Sequence, residues 1–105
     1  MGKIKLDIPH TLPADEAKKR VEALFNYWGR KYGVKATWAN DVANYAGKVM
    51  GISFDGQLSV LTGKISGEAA DPGFLLRGQA TKYINEKFGK YLDPKKTLED
   101  LSKDD

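Results

Sequence analysis

The apolar positions alternate at first, then recur at helical spacing, then alternate again, and return to helical spacing before the chain ends. Ile4, Leu6 and Ile8 alternate with Lys5 and Asp7, the signature of a strand with one buried face. Pro9 ends that strand, because its nitrogen has no hydrogen to donate to a ladder. Thr11 is placed to cap a helix, Pro13 fits its first turn, and Asp15 and Glu16 complement the positive end of its dipole. Ala14, Ala17, Val21, Leu24, Phe25, Trp28 and Tyr32 then fall on one stripe about 100° wide. Lys18, Lys19, Arg20, Glu22, Asn26 and Arg30 fall off it, and Tyr27 lies at one edge as a candidate surface contact. A helix over residues 13–32, stopped by Gly33, follows.

Residues 34–68 read as strands and tight turns. The pattern predicts strands over 34–38 and 42–46, joined by an Asn40-Asp41 turn, and a third strand from Val49 to Phe54 after a Gly47-Lys48 turn. Asp55-Gly56 is a two-residue hairpin signal, leading to a fourth strand from Gln57 to about Ser66 with Gly63 as its bulge. Six of the eleven glycines lie between Gly47 and Gly73, which suits a meander. Asp71 is a candidate cap for a second helix over about 74–91, with Leu76, Ala80, Tyr83, Ile84, Phe88 and Tyr91 on its apolar side. Asp93-Pro94 ends that helix. The order predicts an α+β fold: an N-terminal strand, a long amphipathic helix, a four-strand antiparallel meander and a C-terminal amphipathic helix. Both helices are expected on one face of a curved sheet. Residues 1–92 form this single domain, and 93–105 a short terminal helix or a frayed extension.

Composition narrows the chemistry. With no cysteine among 105 residues, disulfides, thiolate metal sites and cysteine nucleophiles are excluded. The start of the chain lacks a signal peptide's apolar core, and no apolar run approaches the roughly 20 residues of a membrane span. A cytoplasmic location is the expectation. The net charge of +3 comes from the two helical segments, where bases are interleaved with acids. That distribution permits weak attraction to polyanions but lacks the dense footprint of a specific nucleic-acid binder. Trp38, Tyr45 and Phe54 are accompanied by too few cations to make a stacking platform.

His10, the single histidine, stands at the joint between strand and helix, where a ring nitrogen readily bonds backbone. Pro9, His10 and Thr11 therefore read as a structural joint. Asp7 and Asp15 are the nearby carboxylates in sequence, and no second His or Cys completes a zinc set. No serine or threonine has a histidine at recognisable spacing, and the glycines lie within the meander rather than before a helix. No catalytic residue, metal or cofactor is expected. One oddity lies on the second helix, where Lys87 shares the sector of Tyr83 and Arg77 lies close to that of Phe88. One reading is a pocket between helix and sheet, lined by Trp38, Phe54, Tyr83 and Phe88, with Arg77 and Lys87 aimed at an acidic ligand. The other is that both stems cover apolar surface while their charges reach water.

Several segments carry a family resemblance. Ile8-Pro9-His10-Thr11-Leu12, Ala17-Lys18-Lys19-Arg20-Val21-Glu22, Tyr32-Gly33-Val34, Trp38-Ala39-Asn40-Asp41, Gly51-Ile52 and Gly73-Phe74-Leu75-Leu76 occur in that order. In this, the chain up to about Leu92 resembles the polyhydroxyalkanoic acid system family, small bacterial proteins named for storage-polyester granules. The resemblance implies a non-enzymatic protein acting at the granule surface, through granule proteins or in granule regulation. The alternative, by outline of fold, is a small carrier similar to START-like proteins, holding an apolar or acyl ligand between helix and sheet. An uncovered sheet face or an unpaired first strand would make a homodimer reasonable.

Overall fold

A computed structural model describes residues 3–49 and 51–102. Strand β1 (Lys3–Pro9) leads into helix α1 (Ala14–Tyr32). Strands β2 (Lys35–Ala39) and β3 (Val42–Ala46) follow, then a small ribbon of β4 (Lys48–Val49) and β5 (Ile52–Ser53). Strands β6 (Gly56–Leu61) and β7 (Lys64–Ala70) precede α2 (Phe74–Tyr91) and a short α3 (Leu98–Ser102). The main sheet is antiparallel throughout, in the order β1-β7-β6-β3-β2, with β4 and β5 paired apart from it. The chain thus has the expected α+β architecture, and β1 closes the meander by pairing with its last strand.

Register explains why one face is buried. Leu6 lies opposite Gly67, Gly67 opposite Leu58, Leu58 opposite Ala43, and Ala43 opposite Trp38, forming one row across the sheet. Ile8, Ile65 and Val60 form a second row on the same side. Val21, Leu24 and Trp28 of α1 are completely inaccessible over these rows. A Cβ on Gly67 would lie 2.6 Å from Leu58 Cα, so only glycine fits that strand approach. The outward face carries the other parity, including Lys3 paired with Glu68 at 3.8 Å and Lys64 with Asp7 at 3.8 Å. It is a polar, solvated face.

Several boundaries differ from the sequence reading, each for a physical reason. Thr11 does not cap α1. The helix starts at Ala14, Pro13 occupies the cap position without a side-chain bond, and the Pro13 carbonyl accepts the Ala17 N–H at 2.9 Å. The expected strand from Val49 to Phe54 is instead the β4–β5 ribbon, closed by the Phe54 N–H on the Gly47 carbonyl at 2.7 Å. Asp55-Gly56 is not a hairpin tip, because Gly56 already pairs with Tyr45 and the Asp55 carbonyl accepts the Ala70 N–H at 2.7 Å. The fourth strand divides at Thr62-Gly63, so Gly63, with φ +86°, makes a two-residue turn rather than a bulge. Asp71 is not the cap of α2, a position Gly73 fills. Its carboxylate accepts the Gly73 N–H at 2.9 Å and pairs with Arg77 at 2.6 Å, which holds the carboxyl below its usual range.

Two residues placed off the apolar stripe of α1 are in fact buried. Tyr27 is only 5% exposed, with the Lys31 and Lys87 ammonium groups 5.4 and 4.7 Å from its ring centre. Arg20 is also 5% exposed and satisfies its charge with Glu16 at 3.0 Å and the carbonyls of Tyr91 and Asp93 at 3.3 and 3.0 Å. Those carbonyls belong to the end of α2 and the residue after its C-cap, where the helix dipole leaves partial negative charge. Beyond them, Leu101 of α3 is wholly buried. By contrast, Ala14 and Tyr32 are only half-buried.

Candidate functional site

Helix α2 lies over the same face of the sheet as α1, but only its C-terminal half is seated. Ile84, Phe88 and Tyr91 are buried, whereas every residue from Phe74 to Gln79 is exposed. The sequence explains this. Phe74, Leu75 and Leu76 are consecutive, so no single helical face can bury all three. Phe74 and Leu75 are each 79% exposed, and Leu76 39%.

Between this raised half of α2, the β4–β5 ribbon and the β1–β7 edge runs a groove of about 690 Å3. Ile4, Val49, Phe54 and Ala69 line it from the sheet and ribbon, and Leu76, Ala80, Tyr83 and Ile84 from α2. Gln79, Lys82 and Glu86 supply its polar groups on the helix. Its inner wall is the aromatic cluster. Trp28 meets Phe54 edge-on at 4.7 Å between centroids, and its indole N–H donates to the Tyr83 hydroxyl at 3.0 Å. Burial pushes the Tyr83 phenol up to about 12, although the Trp28 bond opposes the shift. Tyr45, deeper in the sheet and bonded to the Glu68 carbonyl at 2.7 Å, is driven still higher by its burial.

One helical turn past Tyr83, two ammonium groups converge on one phenol. Lys31 Nζ donates to the Tyr27 hydroxyl at 3.1 Å, and Lys87 Nζ sits 4.7 Å from the Tyr27 ring centre. Lys87 is also 5.9 Å from the Tyr83 ring centre, and Lys31 5.8 Å from that of Tyr32. The Lys31 bond, aided by the charge of Lys87, outweighs burial and lowers the Tyr27 phenol below its ordinary range. Among the described residues no carboxylate forms an ion pair with either lysine.

The residues singled out in the sequence therefore separate into distinct places. Phe54 and Tyr83 line the groove. Phe88 is 1% exposed, within the core beneath Trp28. Trp38 lines a second, smaller hollow of about 450 Å3 between α1 and β2, with Lys18 over its ring at 5.3 Å. Arg77 is outside both, paired with Asp71, and Lys87 is outside both, against Tyr27. Sequence reasoning missed Phe74 and Leu75, although three consecutive apolar residues at a helix start were a readable signal. It also missed Lys31, which carries no pattern signal of its own.

At the joint, His10 uses both ring nitrogens. Nε2–H donates to the Leu61 carbonyl at 3.0 Å, and Nδ1 accepts the Leu12 N–H at 3.1 Å. Its own N–H donates to the Gly63 carbonyl at 2.9 Å. The side chain thus ties the β1–α1 joint to the β6–β7 turn. Among the described residues no group of three or more His, Asp or Glu side chains lies together, and no helix is long and apolar enough to cross a membrane. No curated protein and no solved structure matches the chain. A family described as "Putative polyhydroxyalkanoic acid system protein" matches residues 4–95.

Proposed function

The chain belongs to the polyhydroxyalkanoic acid system family, and from that premise we propose that it is a non-enzymatic, cytoplasmic protein that attaches to the apolar surface of storage-polyester granules. The exposed run at the start of α2 carries this reading. Phe74 and Leu75 stand out at 79% exposure, next in the chain to Leu76, which lines the groove. Withdrawing one such side chain from water is worth about 1.5–3 kcal/mol, so two or three anchor a small protein weakly and reversibly. A contiguous apolar patch on a small domain marks an interaction site. The remaining surface suits that role, because the outward sheet face is polar and keeps the unattached protein in solution.

The test is co-sedimentation of the purified chain with isolated poly(3-hydroxybutyrate) granules. Wild type should pellet with them, and Phe74→Ser/Leu75→Ser should stay in the supernatant while melting at the same temperature. A wild type that stays in solution, or a variant that pellets equally, refutes the reading. The groove favours a second reading, a carrier of a small acyl ligand. Its volume of about 690 Å3 lies in the range of small-molecule sites.

A further inference from the structure

The groove and Lys87 lie in succession along α2, with Lys31 reaching the same point from α1, and Tyr83 joins them. Glu86 is the last α2 residue lining the groove, and Lys87 follows it, one turn on from Tyr83. The Tyr83 ring borders the groove and also lies 5.9 Å from Lys87 Nζ. On the groove's helical rim, Lys82 and Glu86 are four residues apart and carry opposite charges, so the rim adds no net charge. The uncompensated charge is therefore at one end, where Lys31 and Lys87 meet at Tyr27.

We propose that this site binds an anionic amphiphile, a straight-chain carboxylate whose chain occupies the groove and whose headgroup sits between Lys31 and Lys87. The proposal rests on the carrier reading of the groove. Covering Tyr27 requires only the stems of these lysines, and the C-terminal dipole of α1 favours a single cation in its last turn. Cation–π attraction to Tyr27 and Tyr83 helps to hold Lys87 there, yet no carboxylate among the described residues neutralises either ammonium group. Both groups bring positive charge to the same phenol, and a carboxylate bound beside it is attracted to both. The depressed Tyr27 phenol reports that both charges are felt at this point. A carboxylate there accepts from both ammonium groups, and its alkyl chain passes Tyr83 toward Ala80 and Leu76.

Calorimetric titration with octanoate and with 1-octanol, both below aggregation, tests the two parts separately. Octanoate should bind about tenfold more tightly than 1-octanol, the gain expected of a charge-assisted contact. In Lys31→Met/Lys87→Met the two probes should differ by less than about twofold. Ala80→Phe, which narrows the groove, should weaken both. Equal affinity in wild type, or a preference that survives the lysine substitutions, overturns the headgroup assignment and leaves the carrier reading standing. No binding of either probe, or no effect of Ala80→Phe, overturns the groove assignment as well. Granule sedimentation depends on Phe74 and Leu75, so it is unchanged in the lysine variant and remains a separate measurement.

Discussion

The Arg20 guanidinium reaches across the domain to the Asp93 backbone carbonyl, 3.0 Å away, from a position on α1 that is 5% exposed. With Glu16 beneath it and the Tyr91 carbonyl beside it, one buried charge joins the start of α1 to the end of α2. This contact holds the chain where it turns toward α3 and buried Leu101.

Arg20→Met keeps much of the side-chain volume but removes the donations to the Tyr91 and Asp93 carbonyls and to Glu16. The loss of charge-assisted hydrogen bonds predicts a loss of about 2–3 kcal/mol in urea unfolding. Arg20→Lys should recover only part of it, since one ammonium group cannot reproduce the planar fork. Wild-type stability in Arg20→Met would show that the contact contributes nothing.

The Trp28–Tyr83 bond makes a comparable prediction. Tyr83→Phe leaves the Trp28 indole N–H, on a side chain with no exposure, without its acceptor. The expected cost is about 1–3 kcal/mol. Deleting both partners as Trp28→Phe/Tyr83→Phe should show clear coupling in a double-mutant cycle. Strict additivity of the two substitutions would disprove the bond's contribution.

How much of this could be read from the sequence depended on whether a feature was local. The first helix was legible because Ala17, Val21, Leu24, Phe25 and Trp28 repeat at helical spacing and Gly33, with φ +76°, ends it. The Asn40-Asp41 turn was legible for the same reason, and Asn40 takes φ +57° there. The 47–63 stretch was not, because Asp55-Gly56 and Thr62-Gly63 both look like turns and only cross-strand register decides between them. Arg20 and Tyr27 were placed outside because their burial comes from the end of α2 and from Lys87, partners 60 or more positions away. At the site, the individual aromatics were visible, but their division between groove, core and second hollow required the tertiary arrangement.

His10 gives a local prediction. His10→Ala removes the acceptor of the Leu12 N–H and the donor to the Leu61 carbonyl, on a half-buried residue. Two neutral bonds at a partly solvated joint predict a loss of about 1–2 kcal/mol, with faster hydrogen exchange at the Leu12 amide. Octanoate binding and granule sedimentation should be unchanged. A lost function with unchanged stability would instead assign the ring a chemical role.

Alkaline titration separates the tyrosines by environment. Of the five, Tyr83 is raised to about 12 and Tyr45 is also raised, both chiefly by burial, while Tyr27 is lowered by Lys31 and Lys87. Tyr83 and Tyr45 keep their protons in the folded state after an unfolded chain, with phenols near 10, has released them. The unfolded state then binds fewer protons, so stability falls as pH rises from about 10 toward 12. Tyr27 acts in the opposite sense, ionising first in the folded state and adding stability as pH rises to its unfolded value. Phenolate absorbance of the native protein should therefore include an early contribution, lost in Tyr27→Phe, and a late contribution from Tyr45 and Tyr83 that coincides with unfolding. Lys31→Met/Lys87→Met should move the early phase upward without disturbing the late one. If Tyr27, Tyr45 and Tyr83 ionise together near the ordinary value in the folded protein, the lysine cluster and the buried aromatic wall are both absent in solution.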